Sequence, residues 1–218
     1  MSLNQPKRPS AFLQEKAVLQ TVAVAAVSAT TTLALATMDA DFVVDSFEVE
    51  VPGGYTSDAT NYYDLSLQLK PQTFTAVAST DVCTATGHKL ETGDAIQVTN
   101  AGGGLPAGLT AGVTYFVIKI DADTFKLADS AAHAAAGTAI NITTNGTGTQ
   151  SIAKVFAMYS LLASTGNGDL TTLVFGAATM QPNPTGLSGQ QLNAVLTKVA
   201  SGANLAAGTR LVAHCHLL

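Results

Sequence analysis

The feature that most constrains this chain is a series of short segments in which apolar and polar side chains alternate. In the segment 42–51 (FVVDSFEVEV), Phe47, Val49 and Val51 alternate with Ser or Glu, and in the segment 63–69 (YDLSLQL) every second residue is Tyr or Leu. Because successive side chains of a β-strand point to opposite faces of a sheet, this period indicates strands with one face in a core. The chain is therefore predicted to be all-β, with antiparallel sheets.

The number of these segments favours a sandwich of two sheets. The predicted strands outside a central interruption are 17–27, 31–36, 42–51, 63–69, 154–162, 170–175, 192–199 and 209–217. A jelly roll has about eight antiparallel strands, so a jelly-roll-like sandwich is predicted, while an immunoglobulin-like sandwich of about seven strands stays open. The segment 190–198 (QQLNAVLTK) has little β-branching, so a short helix stays open there.

The central interruption, residues 73–152, is rich in glycine and has turn signals and strand patterns of its own. Its predicted strands are 95–99, 114–120, 124–127 and 139–142, and Asp121–Asp123 is predicted to turn one hairpin. So many short strands in so few residues predict a small β-barrel-like domain. The predicted division is an N-terminal arm at 1–15, a jelly-roll-like sandwich from 16–72 and 153–218, and the inserted domain at 73–152.

Charge is scarce in this chain. Charged residues make up 11% of its 218 residues, against about 25% in an ordinary soluble domain. Low charge combined with many small side chains indicates that much of the surface is covered by other copies or by another protein. An ordinary Ala- and Thr-rich bacterial domain is the alternative. The net charge of −5 argues against a nucleic-acid partner.

The N-terminal region is predicted to be an extended arm that contacts a partner. Residues 1–15 contain prolines and have no periodicity, and Lys7, Arg8, Phe12 and Leu13 are the predicted contacts to a partner, with a neighbouring subunit as the simplest candidate. The apolar run that follows is flanked by charge and is rich in Val and Thr, so it predicts strands rather than a signal peptide or a membrane helix.

The inserted segment resembles a small β module that recurs in structural and tail-associated proteins of tailed bacteriophages. The motifs that carry the resemblance are GHKL at 87–90, TGD at 92–94, LPAGL at 105–109, TYFVI at 114–118, DADTFKLA at 121–128 and GTAIN at 137–141. The two flanking parts and the arm resemble phage head decoration proteins in architecture. This resemblance implies β-sandwich subunits that trimerise on the capsid surface and join neighbouring capsomers.

No residue pattern of this chain predicts a catalytic, metal or cofactor site. His214 and His216 share a face of a strand, but a metal site would need further ligands from His88, His133 or Cys83. Asp39, Asp41 and Asp45 lack the glycine-containing loop of a calcium site, and they are interpreted as residues that solvate and end a strand. Cys83 and Cys215 are predicted to be free buried thiols, as fits a reducing cytoplasm.

The predicted function is therefore that of a capsid decoration (cement) protein and not of an enzyme. The predicted partners are the major capsid protein and further copies of this chain in a homotrimer, with no nucleic acid and no membrane. The predicted location is the virion surface, after synthesis in the cytoplasm of a host bacterium. The alternative is a tail- or fibre-associated protein whose inserted domain binds a host receptor or glycan. Gly102, Gly103 and Gly104 are predicted to form an outer-surface loop in either case.

Overall fold

The computed structural model describes residues 15–22, 31–51, 62–161, 171–175, 187–199 and 209–218. The described chain is nearly all β, with antiparallel sheets in a sandwich-like arrangement, as predicted. Its elements are β1 (Glu15–Val22), β2 (Thr31–Thr37), β3 (Phe42–Val51), β4 (Tyr62–Leu69), β5 (Gln72–Val77), β6 (Val82–Thr84), β7 (Ala95–Ala101), β8 (Thr114–Lys119), β9 (Thr124–Ala128), α1 (Ala131–Ala136), β10 (Thr149–Leu161), β11 (Thr171–Phe175), β12 (Gln191–Val199) and β13 (Thr209–Leu217).

The first four and the last four strands of the chain form the two layers of the sandwich. One layer is a four-stranded sheet with the order β1-β13-β3-β11, and the other layer, β2-β12-β4-β10, is the first part of a nine-stranded sheet that continues into the inserted segment. All their pairings are antiparallel. Consecutive strands on either side of the insertion therefore alternate between the sheets.

The two sheets face each other across one apolar core. Phe47 and Val49 of β3 and Leu211 of β13 lie in the same cluster as Leu65 of β4 and Leu196 of β12. Two aromatic pairs cross the core: Phe42 on Phe156, with ring centroids 5.5 Å apart, and Phe47 on Tyr159, at 6.3 Å. The residues that the alternating pattern places inward, such as Phe47, Val49, Leu65 and Leu67, lie in this core, and Phe42, on the opposite parity of the β3 segment, lies in it as well.

The inserted segment forms a closed barrel of six strands. From β10 the order runs β5, β6, β9, β8 and β7, and β7 pairs with β10 again. Closure removes the free edges that an open sheet would expose. A second apolar cluster fills the barrel, and it includes Tyr115, Val117 and Phe125, which the sequence predicts as core residues of this segment.

β10 belongs to both parts of the molecule. Its first half pairs with β5 and β7 in the barrel, and its second half pairs with β4 in the sandwich. A register irregularity lies between Val155 and Ala157, where Phe156 is the extra residue. Such a bulge bends a strand and increases its twist. β10 therefore crosses from one core to the other without an intervening loop.

Several local predictions are wrong. Residues 139–142 form no strand; they follow α1 as irregular chain, anchored where the Ile140 N–H donates to the Leu127 carbonyl at 2.7 Å and where Ile142 is buried. The sequence prediction also missed β5, β6 and α1, although Ser130 and Gly137 cap the helix in the usual way. The segment at 191–199 is a strand and not a helix, because it pairs on both sides with β2 and β4.

The division of the chain into independently folding domains stays a prediction. Two separate apolar clusters occupy the sandwich and the barrel, and the strand that leaves the barrel begins at Thr149 rather than near residue 153. The predicted arm, with Lys7, Arg8, Phe12 and Leu13, lies outside the described residues. Among the helices of the described chain, none is long and apolar enough to cross a membrane.

Candidate functional site

The end of the barrel away from the sandwich is formed by three segments, 78–81, 102–110 and 129–148, which we call the distal loops. Hydrogen bonds join them. The N–H of Ala78 donates to Asn145 Oδ1 at 2.8 Å, and the N–H of Ile142 donates to Asp81 Oδ1 at 2.8 Å. Thr147 donates its N–H to the Gly104 carbonyl at 2.8 Å. The distal loops are therefore held to one another as well as to the strands they connect.

The predicted glycine loop lies in this region and is exposed. Gly102, Gly103 and Gly104 directly follow β7. A Cβ atom on Gly103 would lie 2.3 Å from the carbonyl oxygen of Thr147, whereas a Cβ on Gly104 would have nothing within 4 Å. The middle glycine is therefore required for the close approach of two backbones.

The distal loops carry almost no charge. The segment 102–110 has no charged residue, and in the other two segments the acidic residues are Asp81 and Asp129. Asp81 accepts the Ile142 N–H, and Asp129 contacts the His133 ring. Val77, the residue before the segment 78–81, is 43% exposed. A surface of this composition can be covered by a partner without burying unpaired ions.

The opposite end of the barrel contains a buried ion pair that the sequence analysis missed. Lys154 Nζ of β10 lies 2.8 Å from Asp94 Oδ2, and both side chains are 2% exposed. Asp94 Oδ2 also accepts the N–H of Glu91 at 2.7 Å. The available signal was a lysine in the apolar run 152–157 (IAKVFA), two residues after Ile152 and so on the same face of the strand.

His88 lies in the core of the barrel and is not arranged as a metal ligand. It is 7% exposed and contacts the edge of Phe125, with ring centroids 5.1 Å apart. Its Nδ1 accepts the N–H of Leu90 at 2.9 Å, so this nitrogen carries no proton. Burial lowers the pKa of His88 below its ordinary value of 6.5.

The other residues considered for a metal site do not come together. In the sandwich, His214 Nε2 lies 3.4 Å from Glu48 Oε1. His133 is on α1, and Cys83 is inside the barrel. Within the described ranges there is no group of three or more His, Cys, Asp or Glu side chains that could hold a metal ion.

Asp41 has a structural role at the end of the sandwich. Its Oδ1 accepts the N–H groups of Leu187, at 2.6 Å, and Ser188, at 2.8 Å. The carboxylate therefore holds the turn before β12 against the start of β3. The interpretation of Asp39, Asp41 and Asp45 as residues that solvate and end a strand stays a prediction.

Both cysteines are free and buried. Burial raises the pKa of each thiol to about 12, with a further contribution from a nearby carboxylate, Asp81 for Cys83 and Asp45 for Cys215. A thiol with such a pKa carries almost no thiolate near neutral pH. Cys83 and Cys215 are therefore unsuited to nucleophilic chemistry.

Comparison with known proteins does not assign the chain to a family. No protein-family model matches it, and no curated protein matches it either. The resemblance to phage structural proteins therefore stays a prediction.

Proposed function

We propose that this protein is a structural component of a tailed-phage virion: a decoration protein that binds the capsid surface and stabilises contacts between capsomers. It acts by binding and not by catalysis, and it needs no cofactor. The major capsid protein and two further copies of the chain are its partners. The proposal includes a jelly-roll topology for the eight strands of the sandwich.

The strand order in the two four-stranded layers of the sandwich is the observation that supports the proposal best. β1 lies beside β13, β2 beside β12, β3 beside β11 and β4 beside β10. Such nested pairing of first with last strands is expected when one long hairpin folds over into two sheets, as in the jelly rolls of viral capsid proteins.

Charge provides the second argument. Jelly rolls also occur in lectins, so the topology alone does not choose a function. A chain with only 11% charged residues is suited to extensive contact with other subunits. Many modest contacts, repeated over a symmetric particle, add through multivalency. In this arrangement the predicted arm lies on the capsid, and the barrel projects from it with the distal loops outermost.

The copy number in purified particles tests the location. Quantitative mass spectrometry should find the chain in a fixed stoichiometric ratio to the major capsid protein, and electron cryomicroscopy should find it on the head. A few copies at the tail would overturn the decoration role and favour the receptor-binding alternative.

Two variants test the contact surface. Deletion of residues 1–14 should abolish binding to capsids that lack the protein, because it removes all four predicted arm contacts. Val77→Asp adds a charge beside the segment 78–81 of the distal loops, where Val77 is 43% exposed, and should leave capsid occupancy unchanged. If instead Val77→Asp lowers occupancy and the deletion does not, the orientation proposed for the subunit is wrong.

A further inference from the structure

The bend in β10 creates a concave corner on the outside of the molecule, which we call the corner groove. On one side is the outer face of β4 and β12, and on the other is the outer wall of the barrel at β7. Ser66, Gln68 and Met158 line it from the sandwich, and Gln97 and Gly112 line it from the barrel. Its volume is about 350 Å³, within the range of small-molecule sites.

The polar groups in this groove are incompletely satisfied. Ser66 and Gln68 are each 7% exposed. Ser66 Oγ lies 3.5 Å from Gln68 Oε1 and also 3.5 Å from Gln97 Oε1, yet its one proton can serve only one of them at a time. Gln68 lines the groove, and its side-chain nitrogen keeps contact with solvent there, so it can donate a hydrogen bond to a bound molecule.

Gln97 is held in a fixed orientation. Its Nε2 donates to the Gly112 carbonyl at 3.1 Å and lies 3.4 Å from Met158 Sδ. Thr114 Oγ1 contacts the same sulfur at 3.1 Å. These contacts direct the carbonyl oxygen of the Gln97 amide toward Ser66 Oγ, which lies 3.5 Å away. The acceptors and donors of the groove are therefore arranged before any ligand arrives.

The chemistry of the lining selects an uncharged ligand. Asp64 is the one charged residue that lines the groove among the described residues, and its Oδ1 already accepts the hydroxyl of Ser160 at 2.6 Å. The remaining polar groups are amides and hydroxyls, which both donate and accept hydrogen bonds. Met158 and Val195 add apolar surface. A ligand that presents hydroxyl groups and C–H faces together matches this lining.

We propose that the corner groove is a binding site for a neutral saccharide of one or two sugar units. Gln68 and Gln97 bind the sugar hydroxyls through their amides, and Met158 contacts a C–H face of the ring. This site goes beyond the proposed virion role and does not depend on it. It is also separate from the distal loops, where a receptor-binding function would otherwise be sought.

Saturation-transfer NMR on the full-length protein tests the proposal, with D-glucose, D-galactose and N-acetyl-D-glucosamine as probes. At least one sugar should receive saturation and bind with a Kd of about 1–10 mM, as expected for a few neutral hydrogen bonds. Gln68→Met and Gln97→Met remove the amides while keeping the length of the side chain. Each should weaken binding by roughly five- to tenfold.

The control variant is Gln191→Met, which removes a glutamine outside the corner groove. It should leave sugar binding unchanged, and the chemical-denaturation midpoint of every variant shows whether it is folded. Should Gln68→Met unfold the chain, Gln97→Met on the barrel wall supplies the same test. Absence of saturation transfer to all three sugars, or equal binding by wild type and Gln97→Met, would overturn the proposal.

Discussion

The ion pair between Lys154 and Asp94 lies where water cannot solvate either charge. Removing one partner of such a pair leaves the other charge buried and uncompensated. Lys154→Met is therefore expected to lower the free energy of unfolding by about 3–5 kcal/mol, measured by chemical denaturation. Loss of the Asp94 contact also removes the charge that holds β10 against the loop before β7.

Lys119 and Glu91 supply the control, since they form an ion pair on the same barrel with side chains 31% and 37% exposed. Lys119→Met is expected to lower the free energy of unfolding by about 0–1 kcal/mol, because solvent screens an exposed ion pair. If both variants lose the same free energy of unfolding, burial of the Lys154–Asp94 pair does not determine how much it stabilises the protein.

His88 makes the stability of the barrel depend on pH. Because burial lowers its pKa in the folded protein, the unfolded chain binds a proton first as the pH falls below about 6.5. The contribution of neutral His88 to the free energy of unfolding is therefore present above that pH, and it is lost as the pH falls through the lowered pKa. His88→Asn keeps an acceptor for the Leu90 N–H and removes the titration.

Unfolding free energies measured between about pH 7 and 5 should fall less steeply in His88→Asn than in the wild type. His133→Asn, on the exposed helix α1, is the matched histidine control. The explanation fails if the wild type and His88→Asn have the same pH dependence over this range.

At the scale of elements, the distal loops depend on one glycine. Gly103→Ala places a methyl group against the Thr147 carbonyl, which is backbone and cannot move aside without disturbing the loop 129–148. We expect a loss of about 1–3 kcal/mol in unfolding free energy and faster hydrogen exchange at the Thr147 N–H.

Gly104→Ala is the paired control one residue further along. Nothing lies within 4 Å of its added Cβ. The substitution should change stability by no more than about 0.5 kcal/mol. Similar exchange rates at Thr147 in both variants would show that the close approach at Gly103 does not determine how the distal loops pack.

The elements that the sequence predicts best are those whose one face is apolar. Phe47 and Val49 in β3 and Leu65 and Leu67 in β4 alternate with polar residues and lie in the core. The segment 139–142 was misassigned because Ile140 and Ile142 imitate that alternation. The Ile140 N–H does donate to Leu127 of β9, but the Ile142 N–H donates to the side chain of Asp81, so the bond to β9 does not extend into a strand ladder. Short strands such as β6, with three residues, are defined by pairing and leave too little pattern to recognise.

At the scale of the whole molecule, the barrel should fold when its six strands are complete. A fragment of residues 72–154 contains every strand that closes the barrel, together with Lys154. The fragment 73–152, cut at the boundaries predicted from sequence, lacks Lys154 and leaves Asp94 buried without its partner. Circular dichroism melting should therefore find 72–154 folded and clearly more stable than 73–152.

If the two fragments have the same melting temperature, the ion pair does not contribute to the stability of the closed barrel. If neither fragment folds while the full chain does, the barrel needs the sandwich, and the two apolar clusters belong to one cooperative unit. The second result would replace the predicted three-part division of the chain.

The sequence indicated an insertion but could not indicate how it is joined. Gly-rich composition and new turn signals predict limits at 73 and 152, and the strands of the barrel run from Gln72 in β5 to Lys154 in β10. The sequence does not indicate that β10 is shared, because Ile152 and Phe156 belong to one apolar run. In the structure, Ile152 lies in the core of the barrel and Phe156 lies in the core of the sandwich. The partly satisfied amides of the corner groove were equally invisible, since Gln68 and Gln97 are brought together only by the bend in β10.

The way in which the barrel is attached has a mechanical consequence. β4 leads into β5 through two residues, and β10 leaves the barrel without a break, so neither crossing has slack. Tension applied at the tip of the barrel is transmitted to the sandwich through the adjacent strands β4 and β10. It loads the hydrogen bonds between β4 and β12 in shear. A particle that carried such subunits would have stiff projections, which follow the motion of the shell instead of swinging on tethers.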